Sequence, residues 1–194
     1  MSPPFIVGFG GTSRPGSSGE KLVAQVLAAC ERGGARTRLF GGAELAALPH
    51  YAPENPDRTQ EQSAFVEAIR ACDGIVIGTP SYHGGISGLV KNALDLLEDL
   101  RADTPVYFDG RPVGLIVSAA GWQGGGVTLS SLRDMVHAMR GWPTPIGVTV
   151  NSAEGPLFDS SGALLDAKIA SALQEQANQI LGFVAAFNTH KRAA

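Results

Sequence analysis

The residues with the most chemical potential gather in three short stretches. The first, GFGGTSRPGSSGEKL over residues 8–22, places the hydroxyls of Thr12, Ser13, Ser17 and Ser18 and the guanidinium of Arg14 between an apolar run and a helical-looking stretch. Gly10 and Gly11 permit backbone conformations that a side chain forbids, and Ser17 and Ser18 stand where a helix should begin. Free amides, hydroxyls and one cation then converge on a single point, a natural seat for a phosphate dianion. The competing reading is plainer: Ser17 caps the helix and the glycines make an ordinary turn.

Elimination narrows the kind of phosphate. A dinucleotide fingerprint needs GxGxxG, but Gly8 and Gly10 lead to Ser13, and the next strand ends in Phe40-Gly41-Gly42 without a ribose-binding acid. A Walker loop needs Lys after its second glycine; Gly16 is followed by Ser17-Ser18, and Lys21 comes about a turn too late. A cysteine phosphatase needs its thiol inside the cradle, and Cys30 lies well down the helix. A phosphate monoester used as a handle remains.

The second stretch is TPSYHGGISGLVKNALDLL, residues 79–97. Pro80 stiffens it, Tyr82 and His83 offer flat faces, and Gly84-Gly85 let a ligand approach the main chain, so Pro80, Ser81, Tyr82, His83 and Gly84 form a ledge for a planar ring. Ser87 is placed to cap a helix whose inner face carries Leu89, Val90, Ala93, Leu94 and Leu97, leaving Lys91, Asn92 and Asp95 for polar anchoring or a partner subunit. The pentapeptide Gly85-Ile86-Ser87-Gly88-Leu89 misses the last glycine of a GxSxG hydrolase elbow. The third stretch, SAAGWQGGG over residues 118–126, is expected to be a loop whose Gly121, Trp122, Gln123 and Gly124 expose backbone amides.

Something must bring the three together. Apolar, β-favouring segments recur at 5–10, 36–40, 74–79, 112–119 and 146–150, each short enough for a strand covered on both faces. Helical patterns fall between them at 17–32, 59–72, 87–100 and 126–139, with a closing one at 164–187. This alternation predicts an α/β three-layer sandwich: a five-stranded parallel sheet of flavodoxin-like order 2-1-3-4-5, with ligands at the carboxyl ends of its strands. The stretches follow strands one, three and four, so they meet at that edge. The 194 residues, without a readable linker, are expected to form one domain. Fifteen basic and eighteen acidic side chains, with no run of one sign, give no nucleic-acid footprint. Cys30 and Cys72 lack CxxC or metal-site spacing, so no metal is expected. No signal-peptide pattern or bilayer-length apolar run is found, which points to the cytoplasm.

Gly11, Thr12, Arg14 and Ser17 match the phosphate loop G-S-x-R-x-x-S of the NADPH-dependent FMN reductase family, with Thr for its first Ser; Pro80, Tyr82, Lys91, Asn92 and Asp95 match the family's P-x-Y-N and L-K-N-x-x-D. The chain resembles that family over nearly its whole length, with His83 at the usual Asn position and Gly19 at another. The resemblance implies bound FMN, with its phosphate on Thr12, Ser13, Arg14, Ser17 and Ser18. The ring would lie along Pro80–Gly84 with Gly121, Trp122, Gln123 and Gly124 opposite. It implies NADPH or NADH as donor, and a small acceptor such as a flavin, quinone, azo compound or metal oxyanion. It also implies a homodimer or homotetramer formed through the helix after Tyr82. No side chain is an obligate acid or base, although Tyr82 or His83 has the chemistry to protonate a reduced quinone. The alternative is a flavodoxin-type FMN electron carrier without NAD(P)H turnover.

Overall fold

The computed structural model describes residues 2–193, and side chains as far as Phe187. Its strands are β1 (Phe5–Gly10), β2 (Arg36–Phe40), β3 (Gly74–Tyr82), β4 (Gly85–Ile86), β5 (Pro112–Ala119) and β6 (Trp142–Asn151). The helices are α1 (Ser18–Arg32), α2 (Gly42–Ala46), α3 (Gln60–Ala71), α4 (Gly88–Leu96, prolonged by a 3-10 turn, Leu97–Leu100), α5 (Trp122–Ala138) and α6 (Ala167–Ala193).

The sheet runs β2-β1-β3-β5-β6, all parallel, which is the expected 2-1-3-4-5 order, while the two-residue β4 turns back antiparallel on β3. The central strands β1, β3 and β5 are too apolar to face water on either side, and their successive residues divide between two cores as a pleat demands. Val7, Phe9, Ile75, Ile77 and Leu115 point to α3, α4 and α5. Ile6, Val76 and Ile116 point to α1 and α6. Small residues set how near α1 comes: a Cβ on Gly8 would lie 2.6 Å, and one on Gly78 2.4 Å, from the methyls of Val23. The start of α1 is thereby pressed against the carboxyl edge of β1 and β3.

Three expectations are corrected. Residues 121–126 do not form a loop: α5 begins at Trp122, with only Gly121 (φ 137) outside it. Poor intrinsic propensity for helix at Gly124–Gly126 is overridden by packing, since Gly125 sits where a Cβ would strike Thr149 Cγ2 at 2.3 Å and Gly124 lies against Ser81. The ledge at Pro80–Tyr82 is the end of β3, and His83 (φ 53) with Gly84 (φ 77) forms the turn of a tight hairpin into β4. The last strand starts at Trp142 rather than 146, tolerating Pro143 and Pro145 because β6 is an edge and carries a bulge opposite Val113 and Leu115. The buried Gln176 of α6 donates to Leu115 O and Ile146 O, and Gln179 accepts from Ile146 N, so two side chains replace ladder bonds lost there.

At the amino edge of the sheet the buried Arg111 donates Nε to Cys72 O and a terminal nitrogen to Arg70 O, satisfying the carbonyl end of α3. Trp142, half exposed, leans on Phe183 with ring centroids 5.8 Å apart.

Candidate cofactor site at the carboxyl edge

The loop between β1 and α1 is organised by one hydroxyl. Ser17, almost fully buried, accepts from Glu20 N at 3.4 Å as the helix cap and from Thr12 N at 3.2 Å, while Thr12 Oγ1 accepts from Arg14 N at 3.2 Å. Capping and phosphate binding are therefore compatible. Ser17 is spent mainly on shaping the loop, and the first-turn amides of Ser18 and Gly19 keep no acceptor among the described residues. Ser13 and Arg14 project into solvent beside them. The loop is bound to the sheet by Gly11 N donating to Gly78 O at 3.3 Å.

Two residues that shape this loop were not foreseen. Glu20 stands three after Ser17, the spacing of a capping box, but its carboxylate reaches away and accepts from Gly42 N at 2.9 Å. Gly42 opens α2 so close to the loop that a Cβ there would lie 1.6 Å from Thr12 O. The signal was the Gly41-Gly42 pair after β2, which only a three-dimensional neighbour explains.

The second and third stretches do come together. Ser81 Oγ lies 2.8 Å from Thr128 Oγ1 and donates to Gly124 O at 3.1 Å, locking the end of β3 to the first turns of α5. Its hydroxyl is thus engaged inside the protein. Thr79 Oγ1, buried, accepts from Ser87 N at 3.1 Å, and Ser87 caps α4 as expected by accepting from Val90 N at 3.3 Å. Tyr82 is 54% exposed, and neither its hydroxyl nor the exposed His83 imidazole bonds to another described residue. Beyond the ledge there is room: a Cβ on Gly84 would meet nothing nearer than Val127 at 3.9 Å, and one on Gly121 nothing within 4 Å. Tyr82, His83 and Gly84 on one side and Gly121 and Gln123 on the other therefore have open space beside them, while Ser81 and Gly124 touch and Pro80 is buried. Trp122 is turned aside, its Nε1 donating to Glu154 Oε1 at 2.8 Å.

On α4, Asn92 clamps the segment before α3, accepting from Tyr51 N at 2.8 Å and donating to Pro49 O at 3.1 Å; Lys91 and Asp95 pair on the outer face at 2.5 Å. Burial pushes the Cys30 thiol up to about 11 and the Cys72 thiol up to about 12, so neither is a nucleophile at neutral pH. Among the described residues no three His, Cys, Asp or Glu cluster as metal ligands, and no helix is long and apolar enough to cross a membrane.

Residues 4–155 match the NADPH-dependent FMN reductase family. The FMN-dependent NADPH-azoreductase of Staphylococcus haemolyticus (strain JCSC1435) is 37% identical over 105 residues, 53% of this chain and 50% of that protein. Its Staphylococcus aureus (strain USA300) namesake is 34% identical over 136 residues, 68% of this chain and 67% of that one. The matches thus span half to two thirds of the length of these relatives. Among solved structures, a flavoenzyme NAD(P)H:(acceptor) oxidoreductase from Paracoccus denitrificans superposes with a TM-score of 0.71 at 24% identity, covering 96% of this chain and 98% of that one, a likeness of fold.

Proposed function

Because the chain belongs to the NADPH-dependent FMN reductase family, we propose that it is an FMN-dependent NAD(P)H oxidoreductase. Its electrons come from NADPH or NADH and go to a small acceptor: a flavin, quinone, azo compound or metal oxyanion. The observation that carries this reading is a juxtaposition. A preorganised loop with unpaired amides and Arg14 stands at the same sheet edge as a ledge whose glycines at 84 and 121 face empty space. Those residues fit an anionic tail joined to a flat head.

Arg14, the hydroxyls of Thr12, Ser13 and Ser18, and the Ser18 and Gly19 amides bind the phosphate, while Ser17 holds them in place. The backbone of Pro80–Gly84 and of Gly121–Gly124 supplies the ring seat. FMN, when bound, provides the two-electron redox centre that no side chain here can replace. Tyr82 and His83, exposed beside the ledge, are placed to hand a proton to a reduced acceptor. The same reading makes residues 1–194 one FMN-binding domain. We place it in the cytoplasm, where Cys30 and Cys72 stay reduced, as a homodimer or homotetramer in contact through the outer face of α4.

An absorbance spectrum tests the cofactor and anaerobic mixing tests the reaction. Protein passed through a desalting column after FMN loading should stay yellow, and NADPH or NADH should bleach it within the mixing time of a stopped-flow instrument. Colourless protein that ignores added FMN overturns the reading. Yellow protein indifferent to both nucleotides is instead an electron carrier of the flavodoxin type.

A further inference from the structure

Beside the ring seat, on the β6 side, lies a cavity of about 380 Å³ that the reading above does not use. The indole of Trp122 walls it, Leu157 and Ile169 line its apolar side, and Glu154 and Asp166 stand at its margin. Two features give it a chemistry.

The first is the indole. Trp122 is 58% exposed, yet it is held: Nε1 donates to Glu154 Oε1 at 2.8 Å, and the same oxygen accepts from Asn151 Nδ2 at 3.2 Å. A large apolar ring fixed in water by its polar edge keeps one face free at little further entropic cost, which is what stacking a second ring requires. The second is charge. Asp166 spends Oδ1 on the amides of Lys168 and Ile169 at the start of α6, leaving Oδ2, as Glu154 leaves Oε2, without a partner among the described residues. Lys168, the one cation in the lining, forms no ion pair with either carboxylate. The margin therefore carries two carboxylates against one ammonium and offers acceptors rather than donors.

We propose that this cavity is a second aryl subsite, which takes a planar aromatic group bearing an amino or cationic substituent and so selects acceptors of that class. The proposal rests on the flavin reading only in calling the occupant an acceptor. The binding itself belongs to side chains outside the ring seat. An acceptor of two linked aryl groups would place one ring on Trp122 and leave the other free to reach the ledge, whereas sulfonated aryl groups would meet the carboxylates and be disfavoured.

The test is equilibrium dialysis of FMN-loaded protein, without nucleotide, against three azobenzenes of matched size carrying a para trimethylammonium, amino or sulfonate group. The cationic and amino probes should bind more tightly than the sulfonate, the cation by about fivefold or more, as expected for two partly exposed charges. Glu154→Gln should shrink the gap between cation and sulfonate, and Ile169→Trp, which fills the cavity, should abolish binding of the cation while FMN retention and the circular dichroism spectrum stay as in the parent. Equal binding of the three probes, an unchanged gap in Glu154→Gln, or full binding in Ile169→Trp overturns the proposal. So does displacement of the probe by added FMN, which would put it in the ring seat. A parallel FMN titration separates the two readings: protein that binds the probes with the predicted order but not FMN keeps the subsite and loses the flavin.

Discussion

Glycines serve opposite ends at the two halves of the carboxyl edge. Around the phosphate loop they are demanded by the protein's own backbone: a Cβ on Gly10 would lie 2.1 Å from Gly78 O, and one on Gly42 1.6 Å from Thr12 O. At the proposed ring seat Gly84 and Gly121 face open space, whereas Gly124 and its neighbour Gly125 are packed against Ser81 and Thr149. In the first half the missing side chains let the chain close upon itself and present fixed amides. In the second, at Gly84 and Gly121, they leave room, which the proposed function fills with the ring. One residue type thus marks a self-packed half and a half with open positions at Gly84 and Gly121, and the difference is visible only in what each absent Cβ would touch.

Substitutions can break that contrast. Gly42→Ala should do the most damage, because backbone cannot yield as a flexible side chain can: a loss of about 3 kcal/mol or more in urea unfolding, with FMN binding lost as the loop is forced away from Thr12. Arg14→Ala should leave folding alone and remove a charge-assisted contact of about 1.5–3 kcal/mol, so FMN affinity falls roughly 10- to 150-fold while riboflavin, which lacks the phosphate, binds as before. Equal losses for the two ligands would move Arg14 out of the phosphate seat. Gly84→Ala is the complementary probe. Its Cβ meets little protein, so the fold should lose only the roughly 1–2 kcal/mol of left-handed backbone strain, but FMN and riboflavin should weaken together. Ser17→Ala should cost about 1 kcal/mol of stability as a lost helix cap, with a larger effect on FMN than on riboflavin. Gly126→Ala, inside α5 with nothing near its Cβ, should raise stability by about 0.5–1 kcal/mol and leave FMN affinity unchanged. A fall in FMN affinity there would extend the ring seat as far as Gly126.

Much of this was legible in the chain. The bounds of β1, β2 and β5 can be read from their apolar runs, and the alternation with helices fixes the order of the sheet, because parallel strands leave few right-handed solutions. Arg14, Ser17 and the Pro80–Gly84 ledge could be named as candidates because the signal for each lies in a few consecutive residues. What was hidden depends on neighbours distant in sequence. Helix at Trp122–Gly126 contradicts glycine's propensity and exists because Thr149 and Ser81 need close approach. Strand at Trp142–Pro145 runs against proline and is tolerated because β6 is an edge, with its irregularity bridged at Ile146 by Gln176 and Gln179. Glu20 and Glu154 read as ordinary surface acids until Gly42 and Trp122 are seen beside them. His83 is the reverse case: the hairpin demands a left-handed residue ahead of Gly84, so the Asn usual in the family has a conformational reason, and histidine bears that strain.

The two tryptophans sit at opposite ends of one strand, Trp142 starting β6 and Trp122 tethered through Glu154 just beyond its finish, about 30 Å away by the rise of ten extended residues. The molecule therefore carries two intrinsic indole fluorophores. An absorber docked at the carboxyl edge would dim one strongly and the other weakly, so emission lifetimes could report occupancy and its position without any attached label.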